Sequence, residues 1–281
     1  MLVTLKEVLE KAKKEHYCVC AFNVYNYETV SSVLKAAAEL NSPVIIAFGE
    51  RYIKYIPIDL ISLIVKNLSQ RYSIPITLHL DHACNLDIIE QAIKEGFTSV
   101  MYDGSKLSLE ENIKITKNVV NIAHSKKVSV EAELGYVIKA EENKMEYRFT
   151  DPDEAKIFVS ETGIDALAIA IGNIHGLRAY EGKVKLDLML LDKIRKSCNV
   201  PLVLHGGSGI PYEELKKAVN LGICKLNINT ELSKAAVDEI RRTLQYANDS
   251  LRMENLMANA SNAIEKVAKF YIELLGSKGK A

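Results

Sequence analysis

The sequence predicts an α/β fold, a (β/α)8 TIM barrel with an extra N-terminal helix and a C-terminal helical extension, on three observations. Eight short runs rich in β-branched residues alternate with longer amphipathic stretches. The runs are almost continuously apolar, as parallel strands are when helices cover one face and a packed interior fills the other. The 281 residues read as one domain, residues 1–281, close to the roughly 250 of a single barrel. An open doubly wound sheet is the runner-up, but nothing in that fold demands eight strands.

In chain order, an amphipathic helix at Leu5–Lys14 comes first and is suited to plug the bottom of the barrel. The first strand is expected at Tyr17–Phe22 and its helix at Glu28–Leu40, stopped by Asn41-Ser42-Pro43 because proline cannot continue a helix. A strand at Pro43–Phe48 leads to a helix at Leu60–Gln70. The next strand, Ile76–Leu80, leads to Leu86–Lys94, which Glu95-Gly96 ends. Strand four at Thr98–Tyr102 precedes a helix at Leu109–His124. Strand five at Val128–Glu133 precedes Pro152–Glu161, where Asp151 caps and Pro152 suits the first turn. Asp165–Ile171, Val200–Leu204 and Ile223–Asn227 complete the strands. Their helices are Leu186–Ser197, Pro211–Leu221 with Pro211 in the first turn, and Glu231 to about Tyr246. An apolar-striped helix from about Met253 to Leu275 follows and is a candidate for subunit contact. Two connections break the rhythm, Gly135–Asp151 and Gly172–Lys185. Both leave C-terminal strand ends, the active face of a barrel, and loops of such length are uncommon in compact domains unless functional.

Composition narrows the function classes. The 36 Lys+Arg balance 36 Asp+Glu, which argues against a protein that binds nucleic acid or an anionic membrane through its whole surface. No apolar run reaches the roughly 18 residues of a membrane span, and MLVTLKEVLEKAKKEH lacks the pattern of a signal peptide. The five cysteines, Cys18, Cys20, Cys84, Cys198 and Cys224, are odd in number and form no CxxC pair. Reduced thiols in a cytoplasmic protein are expected.

The polar residues at strand ends carry the chemistry. Strand three ends in Leu78-His79-Leu80-Asp81-His82, strand six in Gly172-Asn173-Ile174-His175-Gly176, and strand seven in His205-Gly206-Gly207-Ser208-Gly209. His82, His175 and His205 therefore fall on one rim, and three converging imidazoles with an open fourth position make a tetrahedral Zn2+ site. Asp103 and Glu133 end strands four and five on the same rim, where they suit orientation of the histidines or a second divalent cation. Glu131 shares the parity of Glu133 and reads as a buried polar barrel residue. His79 reads as interior packing, and His16 and His124 as helix-end residues without a role. Gly206-Gly207-Ser208-Gly209 and Asn227-Ile228-Asn229-Thr230 each precede a helix. Loops after strands seven and eight commonly bind phosphate through backbone N–H groups and helix dipoles, with no surplus of Lys or Arg.

The ordered set LHLDH, EAELG, AIGNIHG, LVLHGGSG and KLNINTE resembles the class II (zinc-dependent) fructose-bisphosphate and tagatose-bisphosphate aldolases, from Ala21-Phe22-Asn23 to about Glu239. The resemblance implies a cytoplasmic homodimer or homotetramer that cleaves a ketose bisphosphate, fructose 1,6-bisphosphate foremost, into dihydroxyacetone phosphate and an aldehyde. It implies His82, His175 and His205 as zinc ligands, and Asp81 as the group exchanging a proton with the C4 hydroxyl. Asp103 and Glu133 would take or support a second metal. Glu141, in the long loop, would be the mobile carboxylate that takes a proton from dihydroxyacetone phosphate. Asn23, Gly176, Gly206, Gly207, Ser208, Asn227, Asn229 and Thr230 would contact substrate, with Gly176 and Ser208 also near a monovalent cation, Na+ or K+.

The sequence departs from that pattern in places. Ile138-Lys139 stand where family loops carry Gly-Gly, and Gly49-Glu50-Arg51 lacks the Ser or Thr often found there. Ala258-Asn259-Ala260-Ser261 stand where fructose-bisphosphate enzymes often carry an Arg for the distal phosphate, which leaves Arg51, Arg178 and Arg252 as candidates. The rival readings are tagatose 1,6-bisphosphate as substrate, a Schiff-base aldolase working through Lys225, a barrel metal-dependent hydrolase, and a non-catalytic zinc- and phosphosugar-binding relative. The hydrolase would want an HxH pair where strand one offers Ala21-Phe22-Asn23.

Overall fold

A computed structural model describes residues 1–136, 148–173, 185–248 and 250–281. Eight parallel strands close a barrel in chain order: β1 (Val19–Asn23), β2 (Val44–Gly49), β3 (Ile76–Ala83), β4 (Ser99–Tyr102), β5 (Ser129–Leu134), β6 (Ala166–Ile169), β7 (Leu202–Leu204) and β8 (Ile223–Ile228), with β8 pairing back on β1. The helices are α1 (Leu5–Glu15), α2 (Tyr27–Glu39), α3 (Ile58–Ser69), α4 (Leu86–Lys94), α5 (Leu109–Ser125), α6 (Pro152–Thr162), α7 (Leu188–Ser197), α8 (Tyr212–Asn220), α9 (Thr230–Gln245) and α10 (Met253–Leu274). Among the described residues no helix is long and apolar enough to cross a membrane.

Local chemistry sets the helix starts. Thr4 with Glu7, Asn26 with Thr29 and Ser108 with Glu111 form reciprocal capping boxes. Asp151 caps α6 with Pro152 in the first turn, as expected. Pro211 differs: it is extended (φ −55°, ψ 133°) and lies before α8 rather than inside it. Strand β6 is shorter than the apolar run because its flanks bond elsewhere. The Asp165 carboxylate accepts from Val130 N, and Ala170 N donates to Thr150 Oγ1.

Alternation along the strands divides the core in two. One set of side chains packs outward beneath the helices; the other fills the barrel. The lower interior is apolar. Leu5, Val8, Leu9 and Ala12 of α1 pack with Val19, Ala21, Ile45, Ala47, Met101, Ala166, Ala168 and Val203, so α1 plugs the barrel. Two bonds fix it there, Lys6 N to Ser129 Oγ and Thr77 Oγ1 to Thr4 O. The upper interior is polar: Asn23, Asp81, Glu131, Glu133, His205, Lys225 and Asn227 are all buried. Small residues stand beside long ones, Ala47 next to His79 and Ala166 next to Glu131, so the layer fills without overlap.

Candidate active site

Strand β3 brings two neighbouring residues to one place by breaking its own alternation. Thr77, His79 and Asp81 share the inward face, so His82 would ordinarily point outward. Between Leu80 and Ala83, however, β3 takes one more residue than β4 does between Val100 and Tyr102. His82 absorbs this bulge with φ at +49°, a left-handed conformation that costs an L-residue about 1–2 kcal/mol. The imidazole is thereby turned onto the rim, edge-on to His205 with ring centroids 4.5 Å apart.

Each imidazole is backed by a carboxylate. His82 Nδ1 lies 2.9 Å from Asp103 Oδ2 and 3.5 Å from Glu133 Oε2. Asp103 is itself held by the Ser105 hydroxyl and backbone N–H at 2.6 and 3.2 Å. His205 Nε2 lies 2.7 Å from Glu131 Oε1, and Lys225 Nζ donates to both Glu131 oxygens at 2.9 and 2.8 Å. His79 Nδ1 pairs with Ser99 Oγ at 2.8 Å deeper in the barrel. Asp81 accepts from two amides, Asn23 Nδ2 at 2.7 Å and Asn227 Nδ2 at 2.9 Å. Lys225 is fully buried, and both of its hydrogen bonds go to Glu131.

The donor set fits a cation. Asp81, His82 and His205 bring ligand atoms within 4.8 Å of one another, as do His82, Asp103 and Glu133. A carboxylate behind one ring nitrogen fixes the tautomer and aims the other nitrogen, as in zinc sites. The electrostatics agree. Burial opposes charge on His82, yet Asp81, Asp103 and Glu133 together raise it to about 9. Burial, reinforced by Asp103, pushes the Glu133 carboxyl up to about 8. Carboxylates thus crowd a space that a positive charge would relieve. Burial also favours the acid form of Asp81, but His82, His205, Lys225 and His79 hold it well below the usual carboxylate range. His79 is lowered to about 3 by burial and by Lys225. His175, Gly176, Glu141 and Arg178 lie outside the described residues.

The segments after β7 and β8 adjoin. Gly207 N donates to Asn227 O at 3.0 Å, and Glu231 N donates to Ser208 Oγ at 3.4 Å. At Gly207 a Cβ would fall 2.7 Å from Leu226 Cγ, so only glycine fits, and Gly206 takes a left-handed φ of 66°. Helix α9 starts at Thr230, with Asn229 preceding it. The Asn229 side chain does not cap α9; its Nδ2 donates to the Tyr52 hydroxyl at 2.9 Å. Gly209 N donates to Glu231 Oε1 at 3.2 Å, so the N–H groups of Gly207, Gly209 and Glu231 are turned to acceptors within the protein.

Some participants lie outside the sequence expectations. Ser105 was detectable, since an Asp two residues ahead is an Asx-turn signal. Asn173, whose Nδ2 donates to His205 O at 2.9 Å, and Tyr52 had no local pattern.

Comparison with known proteins agrees with this geometry. The class-II fructose-bisphosphate aldolase family model matches residues 3–280. Fructose-bisphosphate aldolase of Helicobacter pylori is 39% identical over the whole of both chains. The 6-phospho-5-dehydro-2-deoxy-D-gluconate aldolase of Bacillus velezensis is 41% identical over 99% of this chain and 97% of its own. The crystal structure of the YdjI aldolase from Escherichia coli K12 superposes with a TM-score of 0.90 at 37% identity, covering both chains completely. A closed barrel with paired histidines at the ends of β3 and β7, the adjoining loops after β7 and β8, and full-length similarity lead to one assignment: the chain belongs to the class-II fructose-bisphosphate aldolase family and is a lyase acting on a phosphorylated sugar.

Proposed function

We propose that this protein is a zinc-dependent aldolase that reversibly cleaves fructose 1,6-bisphosphate into dihydroxyacetone phosphate and glyceraldehyde 3-phosphate. The observation that carries the reading is Asp81, gripped by two amide donors beside the His82–His205 pair. His82 and His205, with His175, are the residues that would hold zinc. The chemistry zinc supplies when bound is Lewis-acid stabilisation of negative charge on the substrate carbonyl oxygen.

The chain's own groups do the rest. Asp81, ionised and fixed by Asn23 and Asn227, takes the proton of the C4 hydroxyl as the C3–C4 bond breaks. The bonding electrons pass to C3 and the C2 carbonyl as an enediolate, and the aldehyde leaves. Glu141 then gives a proton to C3, which yields dihydroxyacetone phosphate. Residues 206–208 and 227–230, with Gly176, hold the phosphate and fix the reacting carbons. Asp103 and Glu133 orient His82 and supply the donors for a second divalent cation, and Gly176 and Ser208 those for Na+ or K+. Assembly as a cytoplasmic homodimer or homotetramer belongs to the same reading.

A second substrate reading rests on the 41% identity to an aldolase named for a phosphorylated keto acid. A dihydroxyacetone phosphate release assay decides between them. It compares fructose 1,6-bisphosphate, tagatose 1,6-bisphosphate and the phosphorylated keto acid before and after chelation. Cleavage should stop on chelation and return with zinc, and borohydride with dihydroxyacetone phosphate should trap no adduct. Activity that survives exhaustive chelation would overturn the zinc mechanism.

A further inference from the structure

The mouth of the barrel beside Asp81 carries a second recognition element. Residues 45, 47 and 49 of β2 share the inward face, and Gly49 pairs directly with Asp81. Gly49 has no side chain to send over the site. The space is taken from above by the short 3-10 turn Glu50–Tyr52. A Cβ on Gly49 would meet the Tyr52 ring at 3.4 Å and Arg51 Cγ at 3.7 Å. Tyr52 is fixed there. Its hydroxyl accepts from Asn229 Nδ2 at 2.9 Å, and its ring lies 5.2 Å from Tyr25 and 6.2 Å from Phe48.

Arg51 is seated on this tyrosine. Its Nη2 donates to the Tyr52 hydroxyl at 2.7 Å, and its guanidinium carbon stands 4.8 Å over the Tyr52 ring. The neighbouring acid does not neutralise it, because Glu50 Oε2 accepts from Cys84 N at 2.7 Å. Among the described residues no ion pair of Arg51 with a carboxylate is found, and its side chain is exposed. A guanidinium stacked and held at one edge keeps its remaining N–H fork for a planar oxyanion.

The placement says which part of a substrate it meets. Asp81 is flanked by Asn23 of β1, Asn227 of β8 and Gly49 of β2. On the aldolase reading the dihydroxyacetone phosphate lies against the segments after β7 and β8, which leaves the β2 side of Asp81 for atoms beyond the C4 hydroxyl, and the Asn229–Tyr52 bond marks the border between the two halves. Arg252 is separated from Asn229 by the 16 residues of α9, about 24 Å of helix.

We infer that Arg51, seated on Tyr52, determines specificity for the aldehyde half of the substrate by binding a terminal oxyanion, phosphate or carboxylate, on that half. This rests on the aldolase reading. The test runs the reaction in the synthetic direction, with dihydroxyacetone phosphate and three aldehydes: glyceraldehyde 3-phosphate, succinic semialdehyde and uncharged glyceraldehyde. The readout is the ratio of kcat/KM for each charged aldehyde to that for glyceraldehyde.

Arg51→Met should lower the ratio about 10–100-fold, through KM for the aldehyde, the worth of hydrogen bonds to a charged group. Arg51→Lys should restore part of it, and Tyr52→Phe should lower it several-fold. The charged aldehyde that loses more identifies the oxyanion. A ratio unmoved in Arg51→Met, or equal losses for charged and uncharged aldehydes, overturns the inference while leaving the aldolase reading intact. A wild-type protein that condenses dihydroxyacetone phosphate with none of the three overturns both.

Discussion

Replacing Lys225 by methionine removes one end of a fully buried ion pair, and its cost follows from the geometry. Both side chains have zero exposure, and the ammonium meets the two Glu131 oxygens at 2.9 and 2.8 Å. At 2.8 Å, with an effective dielectric constant of about 20, the attraction is about 6 kcal/mol, offset by several kcal/mol of desolvation for each ion. Methionine keeps the volume but leaves Glu131 with the His205 ring, at 2.7 Å, as its close polar partner. Breaking one side of such a pair costs about 3–5 kcal/mol, which for a domain of this size is a fall in Tm of about 6–20 °C.

The pH dependence has a definite sign. Burial favours the acid form of Glu131, but Lys225 and His205 hold its carboxyl below the ordinary value of 4.5 in the folded protein. Its contribution is therefore present above that value and lost as pH falls through the folded value. Without Lys225 the carboxyl rises, so the deficit of Lys225→Met against wild type should shrink as pH is lowered from 7 toward 4.5. The double variant Glu131→Gln/Lys225→Met should recover at least 2 kcal/mol (about half the loss). Urea denaturation of the wild type, both single variants and the double variant measures all of this. A Lys225→Met loss under about 1 kcal/mol at pH 7, or a double variant that loses the sum of the singles, would refute the reasoning.

Three other outcomes are expected. Asp81→Ala should lower kcat by about 10²–10⁴-fold while zinc content, measured by mass spectrometry, stays that of the wild type; lost zinc would make Asp81 a ligand instead. Gly207→Ala places a Cβ 2.7 Å from Leu226 Cγ. It should raise KM for dihydroxyacetone phosphate and cost about 1–3 kcal/mol of stability; an unchanged KM would remove this loop from the phosphate site. Leu9→Ala in α1, fully buried against the lower barrel, should cost about 2–5 kcal/mol in the same denaturation assay. A near-neutral result would mean that α1 does not plug the barrel.

The sequence was informative wherever periodicity or a strand end carried the signal. All eight strands, the plug helix and the two final helices follow from apolar runs and stop signals. The strand-end positions of Asp81, His82, Asp103, Glu133 and His205 place them on one rim, and the structure brings their ligand atoms together there. What alternation could not show is how Asp81 and His82, adjacent in sequence, face the same site; that needs the bulge after Leu80. Nor could it pair Glu131 with Lys225, 94 residues apart, or Asn229 with Tyr52, because such contacts are set by barrel closure and not by local preference. The 3-10 turn after β2 was invisible for the same reason: the residues that shape it, Gly49 and Glu50, are defined by what lies beside them in β3 and beyond.

The left-handed backbone of His82 sets selection for stability against selection for chemistry. Glycine at that position would relieve roughly 1 kcal/mol of strain and remove the imidazole. Against that relief stand the contacts glycine would give up, the Asp103 and Glu133 carboxylates and the edge of His205, so the buried carboxylates would lose the partner that the strained backbone presents to them. The same left-handed backbone at His16 and Lys127 closes a helix, whereas at His82 it lies inside a strand and turns the side chain to the site, so there the strain is tied to what the imidazole meets.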